Sequence, residues 1–240
     1  MKYRLLATDY DGTIASQGTA DGATLAALER AAASGRKLVL VTGRHLPEMK
    51  TVFPQLEIFD RVVVENGALL YRPKSDEATL LGEPPPERFL ACLRERKVPY
   101  QLGRGIVATW EPYRETVLKA IRELDLGLHV ILNKGAVMVL PAGVDKATGL
   151  RAAIEELQLP LESVVGFGDG ENDAVFLAIC GLSVAVANAL PELKKQVDIV
   201  TKATHGAGVA EVIDKLLEDD LAPRDADLSP RQELREEELQ

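Results

Sequence analysis

The stretch that most narrows what this chain can fold into is Leu5-Leu6-Ala7-Thr8-Asp9-Tyr10-Asp11-Gly12-Thr13. An apolar run ends abruptly in two carboxylates one residue apart, then a glycine and a hydroxyl. Such a run is expected to be a buried strand, with Asp9 and Asp11 at its C-terminal end. In open α/β sheets that end is where ligands bind. Two carboxylates this close repel each other unless one is protonated or a cation lies between them. A fold tolerates that repulsion where it needs a metal site, an acid–base pair or an attacking carboxylate. The alternative is a strand followed by an ordinary Asp-Gly turn.

The remaining pattern supplies the sheet around that strand. Strand patterns at 3–8, 37–42 and 61–64 alternate with a helix pattern at 21–34 and a short helix near Pro47. The run Lys-Leu-Val-Leu-Val-Thr at 37–42 suits a strand covered on both faces. This βαβαβ opening predicts a parallel sheet with right-handed crossovers. A short strand is expected at 69–71. Between Pro73 and Pro86 the texture turns to Pro, Gly, Ser and acidic residues, which marks a boundary. Then come helix patterns at 87–96 and 113–124, each followed by two strand patterns: 100–104 and 106–110, then 128–133 and 136–140. That order predicts a small antiparallel sheet covered on one face. From Pro141 the α/β pattern resumes with helices at 146–157, 174–179 and 208–217 and strands at 163–168, 182–186 and 198–200. The expected fold class is α/β: a Rossmann-like parallel-sheet core, discontinuous over 1–72 and 141–218, with an inserted α+β (αββαββ) module over 73–140. A charged, weakly ordered tail is expected over 219–240.

Hydrophobic residues make up 46% of the chain, enough for a sizeable core. The net charge of −9 argues against nucleic acid as a partner, but not against an anionic metabolite met by a local cation. Cys92 and Cys180 lack metal-ligand spacing and read as small core residues. His45, His129 and His205 are scattered and also lack it. Trp110 is expected to pack within the inserted module. Neither a secretory signal pattern nor an apolar stretch of membrane-spanning length is visible, so a soluble cytoplasmic protein without membrane contact is expected.

Three further segments carry polar residues at strand ends or helix starts. Thr42-Gly43-Arg44 offers a hydroxyl and an approachable backbone N–H to an anion, or simply caps a helix. Lys146 opens a helix, where a cation is disfavoured by the helix dipole unless it faces an anion; an exposed lysine is the alternative. Gly168-Asp169-Gly170-Glu171-Asn172-Asp173 ends a strand in hard oxygen donors suited to Mg2+, or is a polar loop before a helix. Taken together they describe Mg2+-assisted phosphoryl transfer to an aspartate. Asp9 is the expected nucleophile and Asp11 the acid–base. Thr42, Gly43 and Lys146 hold phosphoryl oxygens.

The ordered set resembles the haloacid dehalogenase superfamily of aspartate-nucleophile phosphatases. Asp9-Tyr10-Asp11-Gly12-Thr13 matches its first motif, Thr42-Gly43-Arg44 its second, Lys146 its third, and Gly168-Asp169 through Asn172-Asp173 its fourth. The insert is similar to the type IIB cap of the Cof-like subfamily, as are Glu65-Asn66-Gly67-Ala68 and Gly206-Ala207-Gly208-Val209. Ala147 stands where that family often has glycine. The resemblance implies that Asp9, the Asp11 backbone carbonyl and Asp169 bind Mg2+, with Asp173 supporting them and Asn172 placing the phosphate or Lys146. It implies a phosphatase for a small phosphorylated metabolite of the phosphoglycolate or sugar phosphate class, as monomer or homodimer. Arg44, Asn66, Arg104 and Lys134 are candidates for substrate specificity. A phosphomutase on the same scaffold, or a phosphate-sensing adaptor without turnover, remain alternatives at this level.

Overall fold

Leu5–Thr8 (β1) has all four residues buried, as its apolar run requires. The computed structural model describes residues 1–221, so the expected tail beyond 221 lies outside the described residues. After β1 come α1 (Gly22–Ala33), β2 (Lys37–Val41), α2 (Leu46–Val52), β3 (Arg61–Val64), β4 (Leu69–Arg72) and β5 (Glu77–Leu80). Next are α3 (Glu87–Glu95), β6 (Gln101–Leu102), β7 (Val107–Trp110), α4 (Arg114–Glu123), β8 (Leu128–Asn133) and β9 (Ala136–Pro141). The chain continues through α5 (Lys146–Leu157), β10 (Val164–Gly168), α6 (Ala174–Leu177), β11 (Leu182–Ala185), α7 (Pro191–Lys194), β12 (Ile199–Val200) and α8 (His205–Asp219).

One sheet has the order β12-β11-β10-β1-β2-β3-β4-β5. Its strands from β12 to β3 are parallel; β4 and β5 run antiparallel. Ala7 of β1 lies opposite Val39 on one side and Gly166 on the other. The chain leaves β1 toward β2 on one side and later returns as β10 on the other. Loops diverge at such a switch point and leave a crevice beyond the strand ends. Helices cover the faces, as a parallel sheet requires. α1 starts where the Asp21 side chain accepts the Thr24 N–H at 2.7 Å, and it buries Ala27, Leu28 and Ala31.

β5 departs from the expected boundary. Residues 77–80 pair with β4 and extend the sheet by one strand. Four residues, one of them Glu77, carry too little alternation to announce a strand; the open edge of β4 supplies the reason for pairing.

The second sheet has the order β6-β7-β9-β8 and is antiparallel throughout. The two-residue period of β9 divides its side chains between two environments. Val137 and Val139 join Phe89, Leu93, Val107, Val117 and Ala120 beneath α3 and α4. Met138 and Leu140 face the other way and meet Ile106, Ala68 and Val144. One face therefore rests on its helices and the other on the large sheet's domain. Trp110 does not pack inside this unit; it is 47% exposed and meets Tyr113 edge-on.

α8 runs on to Asp219, and Asp220 follows in the left-handed conformation. The Asp220 carboxylate accepts from the buried Arg36 at 2.8 Å and from the Lys2 N–H. Residues 219–221 are thus anchored rather than part of a loose tail. Among the described residues, no helix is long and apolar enough to cross a membrane.

Candidate active site

Sheet pairing places Asp9. Its N–H continues the β1 ladder, donating to Phe167 O at 3.0 Å, and the residue is 5% exposed. Lys146 arrives from α5, whose start is set by a reciprocal cap. The Thr148 N–H donates to Asp145 Oδ1 at 2.8 Å and the Asp145 N–H donates to Thr148 Oγ1 at 2.9 Å. Lys146 is 1% exposed, and its Nζ donates to Asp9 Oδ1 and to Asp173 Oδ1, both at 2.6 Å. Two carboxylates thus offset the unfavourable position of a cation at a helix start. The second oxygen of Asp173 closes the turn after β10, accepting the N–H groups of Asp169 at 2.9 Å and Gly170 at 2.8 Å.

Asp169 completes this group. Thr13 Oγ1 lies between it and Asp9, 3.3 Å from Asp169 Oδ1 and 3.2 Å from Asp9 Oδ2. Gly12 lets Asp169 come so near. Its φ is +89°, and a Cβ there would sit 2.2 Å from Asp169 Oδ2. Conformation and space both demand glycine.

Burial works against every charge here. Burial first, then Asp173, pushes the Asp9 pKa up to about 7, against the pull of Lys146. Burial also raises Asp169, partly offset by Lys134. For Lys146, burial acts to lower the pKa, but Asp173 and Asp9 outweigh it and the ammonium is held above its ordinary value. Carboxylate oxygens of Asp9, Asp169 and Asp173 lie within 4.8 Å of one another. Hard oxygens this close fit a small divalent cation, which would let Asp9 stay ionised. Asp173 is bound on one oxygen by Lys146 and on the other by two backbone N–H groups, whereas Asp9 and Asp169 share the Thr13 hydroxyl. Asp11 contributes no carboxylate to this cluster.

A second group lies beside the first. Thr42 is buried at the end of β2, and its Oγ1 accepts the Arg44 N–H at 3.2 Å. Asn172 Nδ2 donates to Asn66 Oδ1 at 2.8 Å. Asn66 is fully buried, its φ is 55°, and its Nδ2 has no hydrogen-bond partner. Gly43 faces the same space: a Cβ on it would lie 3.7 Å from Met138 Sδ, 3.9 Å from Asn66 Oδ1 and 4.0 Å from Asn172 Nδ2.

Arg44, Lys134 and Arg104 are the remaining candidates. Arg44 is committed to Asp11 by two bonds, 2.5 Å from Nε and 2.7 Å from Nη2, and stacks on Tyr10. It also pairs with Glu48. A guanidinium so occupied is a partner of Asp11 rather than an open substrate contact. Lys134 pairs with Asp169. The Arg104 side chain is exposed, and only its backbone enters the site region.

That backbone contact reveals a residue that sequence reasoning missed. The buried Glu65 carboxylate accepts the Arg104 N–H at 3.0 Å and the Gly105 N–H at 2.7 Å. It ties the β6–β7 turn to the end of β3. His45 Nδ1 lies 3.9 Å from it, at the start of α2. A Cβ on Gly103 would come within 2.6 Å of Glu65 Oε2 and 2.7 Å of His45 Nδ1. Gly103→Ala is therefore expected to lift the turn from Glu65. Trypsin should then cut after Arg104 at least several-fold faster than in the wild type. Unchanged cleavage would mean that the contact does not hold the turn. Thr13, Met138 and Asn133 were missed as well. The only local signals were the Gly-Arg-Gly and Glu-Asn-Gly spellings.

The fold and the site define a class: a parallel-sheet enzyme whose carboxylates and buried lysine converge at the C-terminal edge around β1. The profile of haloacid dehalogenase-like hydrolases matches residues 6–104 and 108–213. A phosphoglycolate phosphatase of Methanothermobacter thermautotrophicus is 32% identical over 223 residues, spanning 89% of this chain and 99% of the relative. Phosphoglycolate phosphatase 2 of Saccharolobus solfataricus is 30% identical over 223 residues, spanning 89% of this chain and 92% of that one. A haloacid dehalogenase-like hydrolase from Bacteroides thetaiotaomicron superposes with a TM-score of 0.76 at 22% identity, over 90% of this chain and 100% of the other. The chain belongs to the haloacid dehalogenase-like hydrolase family, and it is a phosphatase.

Proposed function

We propose that the protein is a Mg2+-dependent phosphatase acting on phosphoglycolate through an aspartyl-phosphate on Asp9. The observation that carries this reading is the buried Asp9 carboxylate, held by Lys146 and ringed by Asp169 and Asp173. The substrate is taken from the relatives that are phosphoglycolate phosphatases.

In this mechanism Asp9 attacks phosphorus as the bond to the ester oxygen breaks. Asp11, protonated once one of its two Arg44 bonds opens, gives its proton to the departing alkoxide. Asp11 then takes a proton from water, the water oxygen attacks phosphorus, and the Asp9–phosphorus bond breaks to release phosphate. Lys146, Thr42 and the Gly43 backbone hold phosphoryl oxygens, with Asn66 presented by Asn172. Asp9, the Asp11 carbonyl and Asp169 would hold Mg2+, which offsets the charge between carboxylate and phosphate. Arg44 orients Asp11 at the rim, where its carboxylate is 44% exposed and able to reach water. The module built on the β6-β7-β9-β8 sheet with α3 and α4 acts as a type IIB cap that covers the phosphoester.

The test is phosphate release from phosphoglycolate and a set of sugar phosphates, with Mg2+ or with EDTA. The expected result is a kcat/KM for phosphoglycolate at least about tenfold above any sugar phosphate, and loss of turnover in EDTA. Faster turnover of a sugar phosphate would refute the substrate, and full activity in EDTA would refute the metal.

A further inference from the structure

We propose that Lys134 is a specificity-determining residue that reads a second negative charge on the substrate, a carboxylate beyond the phosphoryl group, once a divalent cation takes Asp169 from it. The proposal rests on the phosphoglycolate reading above and deepens it.

The β8–β9 hairpin delivers this lysine. Asn133 pairs with Ala136, so Lys134 and Gly135 alone make the turn. Their φ values of 49° and 87° are those of a tight two-residue hairpin turn matched to strand twist. The Lys134 N–H donates to Glu171 Oε2 at 3.2 Å and fastens the turn to the loop that carries Asp169. From there Nζ reaches Asp169 Oδ2 at 2.7 Å. The turn is held by its backbone, whereas the side chain is 46% exposed and ends on a single carboxylate.

Two other cations at the site, Lys146 and Arg44, are already committed. Lys146 Nζ is enclosed between Asp9 and Asp173. Arg44 is bound to Asp11 and Glu48. Among the described residues, Lys134 has its ion pair with Asp169 alone. A divalent cation on Asp169 would repel the ammonium that lies 2.7 Å from the same carboxylate, so metal loading weakens the Lys134–Asp169 pair. Lys134 reaches the Asp9–Asp169 cluster from the β8–β9 hairpin of the inserted module, and Lys146 reaches it from α5 of the core. An ester whose phosphoryl group sits at Asp9 meets both elements. Asn133 Oδ1, next to Lys134 in the chain, is buried without a hydrogen-bond partner, as is Asn66 Nδ2. Of these two, the Asn66 Nδ2 donor suits an anion, whereas the Asn133 Oδ1 acceptor does not. A carboxylate at Lys134 meets a mobile cation on a rigid turn; a neutral alcohol gains little from it.

The test uses stable phosphonates, so it does not depend on turnover. 3-Phosphonopropanoate carries a carboxylate and propylphosphonate does not. Binding of each is measured by calorimetry at saturating Mg2+ in the wild type, Lys134→Met and Lys134→Arg. The wild type is expected to bind the carboxylate compound at least about tenfold more tightly. Lys134→Met should bring the two within about twofold by weakening the carboxylate compound only, and Lys134→Arg should keep most of the difference. Mg2+ titrated alone should bind Lys134→Met several-fold more tightly than the wild type, because a competitor for Asp169 is gone. Discrimination that survives in Lys134→Met, or an equal loss for both compounds, would overturn the carboxylate role. Unchanged or weaker Mg2+ binding in that variant would overturn the exchange at Asp169. A wild type that binds the carboxylate phosphonate selectively yet does not hydrolyse phosphoglycolate would refute the functional reading and leave this one standing.

Discussion

Asp9→Asn is expected to lower kcat by at least about a thousandfold while leaving the metal-free protein as stable as the wild type or more so. The two halves of this result have one cause. The Asp9 carboxylate is placed for attack, and an amide at the same position cannot form an acyl phosphate. Yet the charge is a burden to the metal-free fold, since burial and Asp173 push its pKa up to about 7. A carboxylate whose pKa is raised on folding binds its proton more tightly in the folded state. Below the unfolded value of 3.8 both states are protonated and Asp9 costs nothing. As pH climbs from there through about 7, the unfolded state ionises first and wild-type stability falls. The advantage of Asp9→Asn should grow across that window and level off above it. It is read as the difference in urea unfolding free energy between the two proteins at pH 5 and pH 8. Turnover close to wild type would remove Asp9 as nucleophile. An advantage that shrinks as pH rises would mean that the carboxylate is not strained by its surroundings.

Lys146→Met should have the largest effect on stability. The ammonium is enclosed by Asp9 and Asp173, all three of them buried. Removing it leaves two carboxylates facing each other in a low-dielectric interior without their cation. Breaking a buried pair from one side typically costs about 3–5 kcal/mol. A lowered Tm and loss of turnover at neutral pH are expected. The deficit should shrink at acid pH, where protonation of Asp9 relieves the repulsion. Adding Asp173→Asn to Lys146→Met should recover part of the stability but none of the activity. Stability equal to wild type at pH 8 would show that water reaches these carboxylates and that the site is not closed.

Both variants probe residues that the sequence pattern alone brings together, and the reason is topological. A parallel sheet places all its strand C-termini on one edge, whatever the loop lengths. Asp9, Thr42 and Asp169 end or follow successive core strands, and Lys146 opens a core helix. Their convergence follows from topology, and it brings Lys146 to Asp9 across 137 positions of sequence. The inserted sheet is legible for a similar reason, since its alternate residues have to face its helices. β5 is not legible, because four residues next to a charged turn carry little pattern.

Contacts between the inserted sheet and the large sheet follow no local rule. Glu65 binds backbone N–H groups of Arg104 and Gly105, donors that every non-proline residue has. Arg44 lies two positions after Thr42 and reads as a substrate cation, but a planar guanidinium finds a bidentate match in Asp11. Lys134 reads as a candidate substrate contact, and its pairing with Asp169 shows only once the hairpin is laid on the loop after β10. By itself, then, the chain's residue pattern determined the sheet, the strand ends and the residues around Asp9, because buried apolar runs and topology dictate them. Only the tertiary structure decided which cation faces which carboxylate and how the inserted sheet is fastened to the large sheet's domain. Those choices depend on ångström-scale proximity between segments whose local sequences carry no mark of one another.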